Sequence, residues 1–272
     1  MGGDWPMSIH RRRTSYVATN LWTPAQLSNN ELWLEADDAS TLTLVSDSVS
    51  EWRDKSGNDR HATQSTESLR PGYLASEING NPAIDFDGTN DSLTISNSTT
   101  LLQFDNTYSK AFVIKPDVVS NSPVIIHQPA GPWSHLVELN SSSSNAGLYW
   151  GDNSGNFRTY AENTNFAVAG TTTFFILIKT SESTGDAYLS GSLITSFTGS
   201  LAATPTGGIN WILGNYSDSS LNYNGKIGEV LISSQAWDTT NRQLVEGYFA
   251  HKYGLTGSLP NDHPYKNFAP NV

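Results

Sequence analysis

Short alternating or apolar runs, broken by dense polar turns, fill most of the chain. Residues 31–36 (ELWLEA) alternate and predict a strand, and 41–45, 49–53 and 61–64 follow after short polar breaks. Residues 83–87 and 92–95 flank Gly88-Thr89-Asn90 and predict a hairpin, with Ile84 and Phe86 on one face and Asp85 and Asp87 on the other. Residues 110–115, 123–127, 135–139, 147–151, 157–160 and the strongly apolar 173–180 (TFFILIKT) continue the series. Residues 186–190 and 193–197 predict a second hairpin across Gly191-Ser192. With 209–214 and a last strand at 226–233 the count reaches about fifteen, at the spacing of an all-β sandwich.

The last strand leads into the one convincing amphipathic helix. Val230 and Ile232 lie between Ile227, Glu229 and Leu231, so both faces of that strand are expected to be covered. Asp238 stands where an N-cap belongs, because its carboxylate can accept from free backbone N–H groups of the first turn. Leu244, Val245, Tyr248 and Phe249 share one side. Lys252 suits the negative end of the helix dipole, and Gly254 is placed to stop the helix in the left-handed conformation. Trp237, Tyr248 and Tyr253 are expected to pack this helix against one end of the sandwich. No Pro/Gly-rich linker interrupts the strands, so residues 31–272 read as one domain and 1–30 as a separate arm.

Composition narrows the chemistry. The 272 residues include no cysteine, which excludes disulfides, thiol catalysis and Cys-ligated metal. A formal charge of −11 argues against sequence-blind nucleic-acid binding. No run approaches the roughly 18 apolar residues of a membrane span. Residues 1–20 lack the apolar core of a signal peptide, so export by that route is not expected. Ser, Thr, Asn, Gly, eight Trp and eleven Tyr suit a turn-rich β protein, and equally a surface that binds neutral polar ligands such as sugars.

Several motifs resemble one family. Residues 32–37 (LWLEAD), 49–58 (VSEWRDKSGN), 81–88 (NPAIDFDG), the helix end 248–255 (YFAHKYGL) and the tail 257–265 (GSLPNDHPY) resemble the concanavalin-like, laminin-G-like jelly rolls of bacteria and their phages. The resemblance spans residues 31–268, with specific ends and a weak middle. It implies an all-β, concanavalin-like jelly-roll sandwich of two antiparallel sheets with one C-terminal helix, here carrying an extended N-terminal arm. It does not imply an activity, because the fold carries lectins, adhesion modules, hydrolases, lyases and structural parts.

Glycoside hydrolysis needs two facing carboxylates, and no run of the Glu-x-Asp-x-x-Glu kind occurs. Asp85 and Asp87 enter a turn, and Glu35, Asp37 and Asp38 lie at a strand end, both ordinary places for acids. A lyase site could be assembled from His127, His135, Tyr149 and Arg158, although histidines at strand ends are more often structural. Sugar binding asks for an exposed ring flanked by Asn or Asp. Trp133 in the loop Gly131-Pro132-Trp133-Ser134, with Tyr149, Trp150, Asp152 and Asn153, is the first candidate, and Trp211, Asn215 and Tyr216 form a second. Trp150 and Trp211 could equally be core residues, and Trp33, Trp52 and Trp237 are assigned to packing. His251 is read as structural. A structural calcium could be held by Asp87, Asn90 and Asp91, but a metal-free turn is the preferred reading, and no other cofactor is expected.

The arm has no strand pattern and a basic triplet in an acidic chain. Trp5, Tyr16 and Trp22 would supply apolar anchors, and Arg11, Arg12 and Arg13 would pair with an acidic neighbour, so the arm reads as a device for docking to a larger assembly. The expected function is a non-enzymatic structural or adhesion protein displayed outside, on a phage virion as a decoration or fibre component, with glycan binding as its task. Homo-oligomeric or capsid- or tail-bound assembly is expected, at a virion surface or extracellularly. A carbohydrate-binding module of a secreted bacterial protein, and a polysaccharide lyase or glycoside hydrolase, are the alternatives.

Overall fold

Seventeen strands and one α-helix form the regular structure of the described residues. The computed structural model describes residues 20–96, 107–120, 123–128, 136–140, 147–151, 157–160, 166–181, 184–198, 210–216 and 221–272, with 140, 147–151, 157–160, 197 and 198 by their backbone. In chain order the strands are β1 (Asn30–Glu35), β2 (Leu42–Val45), β3 (Ser48–Trp52), β4 (Ala62–Thr63), β5 (Gly72–Ile78) and β6 (Asn81–Asp87). Then come β7 (Leu93–Ile95), β8 (Tyr108–Pro116), β9 (Val124–His127), β10 (Val137–Asn140), β11 (Gly147–Gly151) and β12 (Phe157–Tyr160). β13 (Thr173–Lys179), β14 (Thr184–Leu189), β15 (Ser192–Thr198), β16 (Trp211–Leu213), β17 (Asn224–Ser233) and helix α1 (Thr239–Lys252) complete the order.

Antiparallel pairing arranges the strands in two layers, joined at one corner where Ser48 of β3 pairs with Gly72 of β5. The first runs β15–β14–β13–β8–β17; β1 and β6 share the far edge of β17, and β5 lies beyond β6. The second runs β12–β11–β10–β9–β16–β7–β4–β3–β2. The hairpin expected at 186–197 is present as β14 and β15. The hairpin expected at 83–95 is not: β6 pairs with β5 and β17, whereas β7 pairs with β4 and β16. The turn between them is an arch that carries the chain from one sheet to the other.

Register explains why both faces of β17 are apolar. Leu34, Val230, Phe112 and Phe175 form one rung across β1, β17, β8 and β13, and all four are buried between the sheets. The Phe112 and Phe175 rings stack there at 5.0 Å. The neighbouring rung, Trp33, Leu231, Ala111 and Ile176, faces the other way and is buried under the helix. Successive strand residues alternate in direction, so a strand buried on both faces must read as a continuous apolar run. Full burial of each large apolar side chain stabilises the fold by about 1.5–3 kcal/mol. Gly225 is required where β17 crosses β8. Its φ is +147° and a Cβ would lie 2.6 Å from the Pro116 Cα.

Helix α1 is capped as expected, the Asp238 carboxylate accepting from the Asn241 N–H at 2.8 Å. It lies over the outer face of the first sheet rather than at one end of the sandwich: Val245, Phe249 and Tyr253 pack with Val113, Phe174 and Ile178, and Phe249 meets Phe174 edge-on at 6.0 Å. Its buried side also differs from the expected stripe. Leu244 and Tyr248 are half-buried, while Arg242 and Glu246 are buried. The reason is the C-terminal tail, which covers a second side of the helix. Arg242 donates to both Glu246 oxygens, at 2.7 and 2.8 Å, and its guanidinium lies 4.1 Å over the Tyr188 ring. His263 accepts at Nδ1 from the Tyr265 N–H, so its Nε2 carries the proton and donates to Glu246 at 3.0 Å.

Packing begins ahead of residue 31. Leu21 bridges Asn271, the Trp22 N–H donates to the Pro270 carbonyl at 3.0 Å, and Trp22 and Leu27 are buried. Trp22, expected as an anchor for a partner, is instead packed edge-on against Tyr248 at 6.0 Å within its own chain. Trp5, Arg11, Arg12, Arg13 and Tyr16 lie outside the described residues.

Candidate functional site

Three of the five family-like motifs, 32–37, 49–58 and 248–255, converge on one polar cluster beneath the end of α1. β1 ends on Glu35, and register sets Glu35 opposite Glu229 of β17 on the helix-facing side of the sheet. Two carboxylates opposed in this way repel. Lys252, in the last turn of α1, lies between them. It donates to Glu35 Oε1, to Glu229 Oε2 at 2.8 Å and to the Tyr248 hydroxyl at 3.1 Å. Glu229 also accepts from Trp33 Nε1 at 2.7 Å and from the Tyr253 hydroxyl at 2.9 Å. Lys55 donates to Glu35 Oε2 and to Asp38 at 2.7 Å, and lies 4.4 Å over the Trp33 ring. The loop that carries Lys55 is held by Asp54, whose carboxylate accepts from the backbone N–H groups of Trp33, Ser56 and Arg60.

Electrostatics follow from this packing. Burial raises the Glu229 carboxyl, and the charge of Glu35 adds to the effect, against the pull of Lys252 and Trp33. Burial alone would lower Lys252, but Glu229 and Glu35 outweigh it and hold the ammonium charged. Lys55 is raised in the same way against its own burial, by Asp38 and Glu35. Asp38 is lowered to about 2, chiefly by the bonds from Lys55 and Ser40. Every proton of Lys252 has an acceptor, and Glu229 is fully buried. This cluster fixes the helix to the sheet. Beside it opens a pocket of about 370 Å³ lined by Trp22, Tyr248, Glu35, Asp37, His251 and Lys252 among others.

The residues singled out from sequence are only partly among the described ones. Trp133, His135, Asp152 and Asn153 lie outside the described residues, and Tyr149, Trp150 and Arg158 are described by backbone. Register puts Tyr149 opposite Glu138 and Thr159, and Trp150 opposite Val137 and Arg158. Trp211 is a core residue, 0% exposed. His127 is 1% exposed with its ring 4.4 Å from that of Tyr216. Trp33, Trp52 and Trp237 are buried as expected, and His251 bonds the Tyr265 carbonyl at 2.8 Å. Asp87 accepts from the N–H groups of Thr89 and Asn90, and Asp91 from that of Asp87, so these carboxylates shape the arch between the sheets. Burial raises Asp91 to about 6. Among the described residues no group of three His, Asp or Glu is arranged to hold a metal ion.

Sequence reasoning missed a buried basic pair. Lys110 sits among inward-facing residues of β8, 5.0 Å over Tyr108 and 4.8 Å over Trp211, with Lys179 opposite Tyr108 in register. Burial lowers Lys110 well below the ordinary range, and Lys179 adds to it. The signal was available, because Lys110 shares the phase of Phe112 and Ile114.

Comparison with known proteins places the fold. Residues 87–240 match the family model described as the concanavalin A-like lectin/glucanases superfamily. The chain belongs to this superfamily. Domain 4 of AbnA, a GH43 extracellular arabinanase from Geobacillus stearothermophilus solved in complex with arabinotriose, superposes with a TM-score of 0.57 at 16% identity. That match covers 78% of this chain and 96% of the arabinanase domain. The binding domain of Paraclostridial Mosquitocidal Protein 1 gives 0.56 at 14% identity, over 81% of this chain and 52% of that one. The binding domain of Botulinum Neurotoxin DC, in complex with SialylT, gives 0.55 at 14%, over 80% and 51%. The chain thus spans about half of the toxin binding domains and nearly all of the arabinanase domain. At these identities the likeness establishes the fold alone. No curated protein matches the sequence. Among the described residues no helix is long and apolar enough to cross a membrane.

Proposed function

We propose that the chain is a non-enzymatic, glycan-binding domain displayed on the outside of a larger assembly, as a decoration or fibre protein of a phage virion. The observation that carries the binding role is the match over 96% of a domain solved with arabinotriose. The non-enzymatic part is supported by Glu35 and Glu229, the carboxylates opposed in register, which are both engaged by Lys252. The virion role is supported by the resemblance to phage jelly rolls and by the basic arm. There Trp5, Arg11, Arg12, Arg13 and Tyr16 are the proposed docking residues, since Trp22 is already packed within the chain. Trp133, Tyr149, Trp150, Asp152 and Asn153 are proposed glycan contacts. A module of a secreted bacterial protein is the second reading, favoured by the extracellular arabinanase domain.

A glycan array probed with the full chain, with and without calcium, tests the binding role. Retention of at least one saccharide, recovered intact, is expected and Trp133→Ala should weaken it. Turnover that vanishes on a single carboxylate substitution would overturn the non-enzymatic reading. Deleting residues 1–19 separates the two settings. Loss of incorporation into particles supports the docking arm, and unchanged incorporation contradicts it.

A further inference from the structure

We infer that the pocket beside the end of α1 is a binding site for an uncharged sugar and rejects acidic ones. The inference rests on the glycan-binding reading above and adds a second place, apart from the contacts proposed around Trp133, with its ligand class.

The pocket holds about 370 Å³ and is walled by Tyr248 and the buried Trp22, set edge-on at 6.0 Å, with the exposed Leu21 at its margin. That volume lies at the small end of ordinary ligand sites. A half-buried ring beside apolar surface suits the C–H face of a sugar, in the way amphipathic rings cover a partly apolar ligand.

The polar groups decide the ligand's charge. All three Lys252 protons are engaged by Glu35, Glu229 and Tyr248, so the pocket's cation is neutralised by the protein itself. Asp37 lines the pocket, is exposed, and makes no side-chain bond to the other described residues. With Nε2 of His251 donating to the Tyr265 carbonyl, its Nδ1 is left as an acceptor. Among the described residues these two groups are acceptors, while the Trp22 indole in the same lining is a donor. Among the described residues around them, the carboxylates of Glu35, Asp37, Asp38 and Glu229 outnumber the ammonium groups of Lys55 and Lys252. Hydroxyl donors fit such a site. A uronate or sialate would bring a like charge into a net negative, partly desolvated pocket, a mismatch of the kind that excludes wrong partners.

The experiment titrates the isotope-labelled full chain with arabinotriose, a neutral hexose oligomer, sialyllactose and an oligogalacturonate, followed by NMR. Neutral sugars should shift the Trp22 indole and His251 ring signals, and the acidic ones should leave them in place. Asp37→Ala removes an exposed group without side-chain bonds to the other described residues, so it should fold normally and weaken neutral-sugar binding at least tenfold. Neutral-sugar binding that leaves those signals and the Asp37→Ala affinity unchanged overturns the pocket while sparing the glycan-binding reading. Acidic sugars shifting the same signals overturn the charge argument. Failure of every glycan, here and on the array, overturns both.

Discussion

Lys252, in the last turn of the helix, donates to Glu229, 2.8 Å away and fully buried in the strand that pairs with β1, β6 and β8. A cation at a helix C-terminus is favoured by the dipole alone. Here it also compensates two carboxylates that register forces side by side. The family-like ending thus encodes a sheet-to-helix clamp, and its tyrosines complete it.

Removing the cation should be expensive. Lys252→Met leaves Glu229 and Glu35 opposed, and the loss of stability should be about 3–5 kcal/mol in urea denaturation. Glu229→Gln keeps an acceptor for the Trp33 N–H and should cost less. Combined with Lys252→Met it should recover part of the loss. A Lys252→Met variant within about 0.5 kcal/mol of the parent would contradict the clamp.

Asp91 sets a pH dependence of definite sign. Its folded pKa, raised by burial to about 6, lies above the ordinary carboxylate value. Protonation therefore favours the fold; that contribution is complete below about pH 4 and is lost as pH rises through about 6. Asp91→Asn should be more stable than the parent at pH 7, by about 1–2 kcal/mol given partial solvent access, with the gap closing below pH 4. Thermal unfolding across pH 3–8 measures it. A variant less stable at pH 7 would show that the charged form has a stabilising role in the arch.

The tail is latched through a buried acid. Arg242→Met leaves Glu246, 0% exposed, with His263 as its remaining partner. We expect about 2–3 kcal/mol of destabilisation and faster hydrogen exchange in residues 255–265 than in β17. Uniform exchange across both would mean that the tail opens with the whole domain.

What could be read in advance follows from range. The apolar run of Val230, Leu231 and Ile232 predicted a strand covered on both faces, and Asp238 and Gly254 marked the helix ends, because these are local effects. The β6–β7 error has a physical cause. Asp87-Gly88-Thr89-Asn90 suits a hairpin and an arch equally. Partner choice decides between them, Ile84 opposite Ile227 and Ile95 opposite Trp211, and those partners are distant in sequence. The same limit hid the clamp. Glu229 inside an apolar run was a visible anomaly, but its pairing with Trp33, Glu35 and Lys252 exists only in the folded sheet. The pocket, made by residues near both chain ends, was equally invisible. The role of Trp22 was misjudged because a lone aromatic in a strandless stretch looks the same whether it meets a partner or its own helix.

The most direct test of the central claim is calorimetric titration of the full chain with arabinotriose and a panel of neutral oligosaccharides, with product analysis after each run. The account predicts saturable binding to at least one neutral saccharide, weakened by Asp37→Ala, with the sugar recovered uncleaved. No binding across the panel, or a cleaved product, would contradict it.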